Sequence, residues 1–183
     1  MVMKLTKIER GNPSNPGQKI GGLYPMAFYG LDGDWDTQRN GLRWPEPRYN
    51  GLFAASYARE HVSRYQFGEG RCAHYVYEAI TNGGGLKTLR RMAKAKDYGF
   101  QLSVAGFIRL LSPHHPETMW RVGMIAVIQA YPGGNSAGHI CIWDSASWIS
   151  DFVQTGGRDG YYPGPGYRQY RPAVEFFVWY GHF

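Results

Sequence analysis

Gly68-Glu69-Gly70-Arg71-Cys72-Ala73-His74-Tyr75-Val76-Tyr77-Glu78-Ala79-Ile80 is a glycine-rich turn that runs straight into an apolar-periodic segment with a cysteine at its mouth. Ala73, Val76, Tyr77 and Ile80 recur at helical spacing, and Thr81-Asn82 followed by Gly83-Gly84-Gly85 stops the pattern. The spacing predicts a helix of about three turns with Cys72 in its first turn. A thiol there meets unpaired backbone N–H groups and the positive end of the helix dipole, and adjacent Arg71 adds to the same field, so the thiolate is favoured. The competing reading of the same stretch is a small buried thiol packed in a core, the commoner fate of a free cysteine. The rest of the chain has to decide between them.

Moving outward, 183 residues bound the chain to one domain long enough to bury a core without crosslinks. Hydrophobic residues at 43% against 19% charged exclude a wholly disordered chain, and 16% aromatics with 25 glycines point to a turn-rich globular protein with material for a sugar- or peptide-binding groove. The net charge of +6 favours anionic partners. The cluster Arg90-Arg91-Met92-Ala93-Lys94-Ala95-Lys96 reads as a solvated helix face, since no nucleic-acid-binding motif accompanies it. Two cysteines, Cys72 and Cys141, make no disulfide framework. No run approaches the roughly 18 apolar residues of a membrane span, so no membrane insertion is expected. The N-terminus lacks the apolar core of a secretory signal, which predicts synthesis in the cytoplasm and, for an external target, delivery by other means.

Residues 1–50 read as an irregular arm, rich in turn formers and anchored by Leu23, Tyr24, Met26, Phe28 and Tyr29, ahead of a main domain over 51–183. Within the arm, Asp32-Gly33-Asp34-Trp35-Asp36 lacks the later ligands of a calcium loop and is taken as a polar turn. The main domain opens with helices expected over Gly51 to Tyr65, from Cys72, over Leu86 to Ala95, and from Gln101 to Leu111 before Ser112-Pro113. The character then changes. Met124 to Ala130, His139 to Trp143, Trp148 to Val153 and Ala173 to Tyr180 read as strands, with a Gly/Pro/Tyr loop from Gly156 to Tyr170 before the last. Helices first and an antiparallel sheet second is the α+β pattern.

A thiolate that attacks an amide carbonyl needs a base to manage protons and a third polar group to orient that base. Gly138-His139 opens a strand, with the glycine letting the backbone turn and leaving the imidazole at an accessible sheet edge, so His139 is the expected base. Cys141 and Trp143 share its face and Ile140 and Ile142 point the other way. Asp151 lies twelve residues on, across a tight hairpin, and is the expected third residue. His74, two positions after Cys72, faces away from the thiol. His114-His115, between prolines, reads as an exposed loop. A zinc site from His114, His115, His139 or Cys141 has no supporting ligand spacing, so neither metal nor cofactor is expected. Cys141, mid-strand between isoleucines, is the rival nucleophile, in a setting where thiols are usually inert. No spacing singles out two acids for a carboxylate-pair glycosidase.

The segments Gly70-Arg71-Cys72-Ala73-His74-Tyr75-Val76, Ala95-Lys96-Asp97-Tyr98-Gly99, Gly138-His139-Ile140-Cys141-Ile142-Trp143-Asp144, Trp148-Ile149-Ser150-Asp151-Phe152-Val153-Gln154 and Tyr162-Pro163-Gly164-Pro165-Gly166-Tyr167 together resemble the NlpC-like and CHAP-like cysteine amidases of peptidoglycan. Within that superfamily they look most like the type VI secretion amidase effectors and related phage wall hydrolases. The resemblance covers roughly residues 51–180. It implies a papain-like α+β core with the nucleophile at a helix N-terminus on an antiparallel sheet, with Cys72 as nucleophile, His139 as base and Asp151 as orienting residue. Gly123-Met124 departs from the Gly-Asp pair common before the histidine strand in such enzymes, and the arm has no counterpart.

On this reading the Cys72 thiolate attacks an amide of the stem peptide or crosslink, and the Cys72 backbone N–H stabilises the oxyanion. Tyr98 and Gln154 are side-chain candidates for oxyanion or substrate contacts, Asp144 is a reserve third residue, and Tyr161, Tyr162 and Tyr167 suit an anionic glycan–peptide polymer. The expected partners are peptidoglycan and a cognate immunity protein, with no nucleic acid. The expected place of action is the periplasm or wall of a target cell. Two alternatives stay open: a non-catalytic binding module for wall or protein, and a cysteine protease or acyltransferase acting on proteins.

Overall fold

Residues 49–110, 120–156 and 160–179 are described by the structure, a computed structural model. The arm up to residue 48, with its anchoring aromatics and the Asp32 to Asp36 turn, lies outside the described residues, as do His114 and His115.

The first described element is helix α1 (Gly51–Glu60), whose first turn is capped by Asn50: the side-chain oxygen accepts from the Phe53 N–H at 3.1 Å. Helix α2 (Cys72–Glu78) follows and continues as a π-helical turn over Ala79–Gly83. Of the expected stripe Val76 and Ile80 are buried, joined by Cys72 and Ala79, while Ala73 and Tyr77 are only partly buried against the same core. Complete burial of Val76 and Ile80 stabilises the docked helix by about 1.5–3 kcal/mol each. After a 3₁₀ turn, helix α3 (Tyr98–Ala105) leads into strand β1 (Phe107–Leu110). Strands β2 (Ile125–Ile128), β3 (His139–Trp143) and β4 (Trp148–Ile149), a short helix α4 (Pro165–Tyr170) and strand β5 (Val174–Trp179) complete the described chain.

The five strands form one antiparallel sheet in the order β1-β5-β2-β3-β4. Ile128 pairs with His139 and Ala126 with Cys141, which fixes which side chains of β3 face which way. On one face Ile125, Val127, Ile140, Ile142, Ile149 and Phe177 pack against the helices. On the other, Ala126, Ile128, Cys141, Trp148, Phe176 and Val178 pack under Trp120, Tyr162 and Tyr167. Both faces are covered, which is why β2 and β3 are continuous apolar runs rather than alternating ones. The expected partition of β3, with Cys141 on the face opposite Ile140 and Ile142, is what the two clusters contain.

Four expectations differ. The strand expected from Trp148 to Val153 keeps only Trp148–Ile149, with Val153 turning back to bridge Ile149. The segment Leu86 to Lys94 is irregular rather than helical, and its backbone bonds to groups on either side of it: Leu86 N–H donates to Ile80 O (3.1 Å) and Met92 N–H to the Tyr98 hydroxyl (3.1 Å). Leu86 and Leu89 are buried from this loop while Arg90, Arg91 and Lys94 are exposed, so the basic cluster is solvated without being a helix face. The helix expected from Gln101 to Leu111 instead starts at Tyr98 and stops at Gly106, and Phe107–Leu110 becomes the edge strand β1. The Gly/Pro/Tyr loop contains α4, with Pro165 at its first position after Gly164.

Candidate active site

The turn before α2 is built around an acid distant in sequence, 80 residues on from Arg71. Asp151 is buried, and its Oδ2 accepts from the Glu69 N–H at 2.7 Å and the Arg71 N–H at 3.0 Å. The backbone thereby enters the helix with two amides satisfied by a carboxylate. Gly68 makes this approach feasible. It sits at φ +72°, and a Cβ there would lie 2.5 Å from Asp151 Oδ2, so neither the conformation nor the space admits a side chain.

Cys72 is the first residue of α2, as the sequence predicts, and is 9% exposed. Its helix packs against β3, with Cys72 and Ile140 in the same buried cluster. Burial is the largest influence on this thiol and pushes its pKa up to about 11, against the backbone N–H groups of Ile140, Ala73 and Cys72, while the Asp151 charge pushes in the same direction as burial. The expected resting thiolate is therefore replaced by a protonated thiol: Arg71 is paired to Glu69 at 3.6 Å, and desolvation outweighs the helix start.

His139 opens β3 behind Gly138, whose φ of +70° and absent side chain are both required, since a Cβ would lie 2.4 Å from Ile128 O. The imidazole is buried, and burial lowers its pKa to about 4 although the Asp151 charge acts in the opposite sense. Its hydrogen bond is to the Gln154 amide at 2.6 Å. The orientation of that amide is assigned by its partners: with Oε1 accepting from His139 Nε2, the amide nitrogen donates to Gly160 O at 2.8 Å and Tyr161 O at 3.1 Å. The Nε2–H is thus held by Gln154, and Nδ1 is the unprotonated nitrogen, the one able to accept a proton.

Cys72, His139 and Asp151 line one pocket of about 230 Å³, together with Phe67, Phe152, Pro163 and Tyr167. The structure brings the three expected residues together, but Asp151 spends Oδ2 on the Gly68 to Arg71 turn, and Gln154, expected among substrate contacts, makes the bond to the imidazole. Tyr98 stands elsewhere: its hydroxyl donates to Ala73 O (3.4 Å) and accepts from Met92 N–H, fastening the α2 start to the loop before α3. Asp144 closes the β3–β4 turn, accepting from Ala146 and Ser147 N–H at 2.9 and 2.7 Å and pairing with Arg59. Neither lines the pocket. Cys141 is fully buried, its thiol directed to Tyr161 O at 3.8 Å and its pKa driven well up by burial. Tyr161 and Tyr162 pack on each other, with Trp148 and Phe176 against the Tyr161 ring, so of the three expected groove tyrosines only Tyr167 lines the pocket. Among the described residues no group of three or more His, Cys, Asp or Glu side chains is placed to hold a metal, and no helix is long and apolar enough to cross a membrane.

A cysteine at a helix start and a neutral histidine at the mouth of an antiparallel sheet place the protein among α+β proteins with a thiol–imidazole site. No family model matches the chain, and no curated protein shows significant similarity to it. Solved structures do. The native type VI effector–immunity complex Tae3–Tai3 from Ralstonia pickettii is similar with a TM-score of 0.60 and 39% identity, over 72% of this chain and 100% of that one. The selenomethionine form of the same complex is similar with a TM-score of 0.57 and 41% identity, over 68% and 98% of the two chains. The chain belongs to the Tae3 family of type VI effectors.

Proposed function

We propose that the protein is a peptidoglycan amidase that cleaves a stem-peptide or crosslink amide through a Cys72 thioester, with a papain-like, NlpC- or CHAP-type division of labour. The observation that carries this reading is the single pocket shared by Cys72 and His139 in a chain of the Tae3 family. Cys72 Sγ adds to the amide carbonyl carbon as its proton passes to His139 Nδ1. The C–N bond then breaks as the imidazolium returns that proton to the departing amine. A water deprotonated by His139 hydrolyses the thioester and frees the thiol and a carboxylate. Because both groups rest neutral, His139 works as a general base during attack rather than as half of a standing ion pair. Gln154 holds the tautomer this requires, and Asp151 holds the turn that presents Cys72 and its backbone N–H to the oxyanion.

Membership of a family solved as effector–immunity complexes supports two further parts of the reading: a cognate immunity protein as partner, and delivery to the periplasm of a target cell. The test is digestion of purified sacculi with mass spectrometry of the soluble products. Fragments carrying a new amine and a new carboxyl end at a peptide bond are expected; fragments cut only in the glycan, or none, would overturn the proposal.

A further inference from the structure

Asn135 lines the same pocket as Cys72 and His139, and the chemistry above leaves it without a task. Its side chain is already oriented. Oδ1 accepts from the Ala137 N–H at 2.9 Å, which makes Nδ2, with its N–H groups, the free end of the amide. The residue is exposed, and Nδ2 has no acceptor among the described residues.

The turn that carries this amide, between β2 and β3, is fixed from both sides. Gly138 N–H donates to Asn135 O at 3.2 Å and Lys96 N–H donates to Ala137 O at 2.9 Å, and the residue after Gly138 is the base His139. At the other end Gly134 N–H donates to Tyr131 O at 3.0 Å, and the Tyr131 ring is stacked on Tyr170 at 5.0 Å between centroids. An amide on such a mount loses little freedom on binding, so more of its hydrogen bond survives as affinity.

The pocket's other polar side chains are committed or of the wrong kind. His139 Nε2–H is held by Gln154, the Tyr167 hydroxyl is buried away from the open space, and Asp151 offers acceptors. Phe67, Phe152 and Pro163 have no side-chain donor. Asn135 Nδ2 is therefore the open side-chain N–H donor among the described residues that line the pocket. Its complement is a neutral oxygen: no Lys or Arg is among those residues and the Asp151 carboxylate is, so a peptide carbonyl fits there better than a carboxylate.

From this geometry we infer that Asn135 is a substrate-binding residue whose Nδ2 donates a hydrogen bond to a peptide carbonyl flanking the scissile amide. The inference rests on the amidase reading above. The attacked carbonyl belongs with the Cys72 N–H at the start of α2, whereas Asn135 stands on a different element and takes a neighbouring carbonyl that gains no charge in the reaction. Such a bond is equally strong in the bound substrate and in the transition state, so its loss raises KM and leaves kcat nearly as it was.

The experiment compares Asn135→Ser and Asn135→Asp with the native full chain, with kcat and KM measured on soluble muropeptides prepared from sacculi and Tm measured alongside. Both replacements keep an oxygen that can accept from the Ala137 N–H, so the turn is retained while the donor is lost. Expected is a rise in KM of about tenfold in each, with kcat changed less than about threefold and Tm within about 3 °C of native. A KM within about twofold of native in both variants, or a loss confined to kcat, overturns the inference and leaves the amidase reading standing. A lowered Tm with reduced kcat and unchanged KM, the mark of a damaged turn, overturns it as well. A binding arm is independent of cleavage: calorimetry of the same muropeptides on Cys72→Ala, in which adding Asn135→Ser should weaken Kd about tenfold. Equal affinity of the two chains, or binding by neither, refutes the role of Asn135. Capping the free carboxyls of the muropeptides as methyl amides should leave the Asn135→Ser penalty in place; a penalty that vanishes on capping overturns the assignment to a carbonyl.

Discussion

Replacing Asp151 with Asn separates holding the thiol's turn from orienting the imidazole. The carboxylate accepts from Glu69 N–H at 2.7 Å and Arg71 N–H at 3.0 Å and is buried. A hydrogen bond to a charged acceptor is worth about 1 kcal/mol more than one to a neutral acceptor, so Asp151→Asn should cost about 2 kcal/mol of stability. With a urea dependence of about 2 kcal/mol/M, the midpoint should fall by about 1 M, read by tryptophan fluorescence. The effect on the reaction is smaller, because the lost charge raises both pKa values, that of Cys72 and that of His139, with opposed consequences for proton transfer. Its removal makes the thiol easier to deprotonate and the imidazole a weaker base. Amide cleavage by folded Asp151→Asn should therefore stay within about tenfold of the native rate, against the roughly 10⁴-fold loss known for an acid that orients a catalytic histidine. A midpoint within 0.2 M of native, on the order of the error of such fits, with a thousandfold or greater loss of rate would refute the assignment and return Asp151 to the histidine.

Gln154→Ala removes the bond to His139 Nε2, and sacculus digestion should slow by about 10²-fold in line with loss of a positioned base; a rate within twofold of native would contradict its role. The pH dependence follows from burial: with the His139 pKa lowered from 6.5 to about 4, cleavage should persist on acidification and fall only near pH 4. Between about pH 6.5 and 4 the unfolded chain takes up a proton that native His139 refuses, so stability should decline by about 3 kcal/mol as pH falls through that window. Urea midpoints at pH 7 and pH 4.5 that coincide would contradict it. Gly68→Ala forces a left-handed conformation and a clash with Asp151 Oδ2, and should lower stability by at least about 2 kcal/mol while abolishing cleavage; a native-like melting curve would count against the turn's role. Iodoacetamide should modify Cys72 slowly near neutral pH and faster toward pH 10, and should spare Cys141 until the protein unfolds, as peptide mapping would reveal.

The elements legible in the sequence were those with a local cause. Helix α2 follows from Ala73, Val76, Tyr77 and Ile80 at helical spacing, and β2 and β3 from apolar runs bounded by glycine turns. The irregular course of Leu86 to Lys94 was not legible, because Ile80 O and the Tyr98 hydroxyl hold that backbone from outside it. Helix α4 did carry a signal, proline at the first helical position after a glycine, which the surrounding turn formers obscured. In the site, hairpin spacing put Asp151 in the pocket, but spacing does not say which atoms meet, and the carboxylate faces backbone amides while Gln154 meets the imidazole. Helix position argued for a thiolate, whereas the desolvation that reverses it depends on the packed sheet and cannot be read from neighbours in the chain.

The central claim is that Cys72 is the nucleophile, and intact sacculi with the Cys72→Ala and Cys141→Ala variants test it most directly. The account predicts that Cys72→Ala folds with native circular dichroism and releases no peptide-cleaved fragments, while Cys141→Ala, if folded, releases them at close to the native rate. Release by folded Cys72→Ala at the native rate would contradict it.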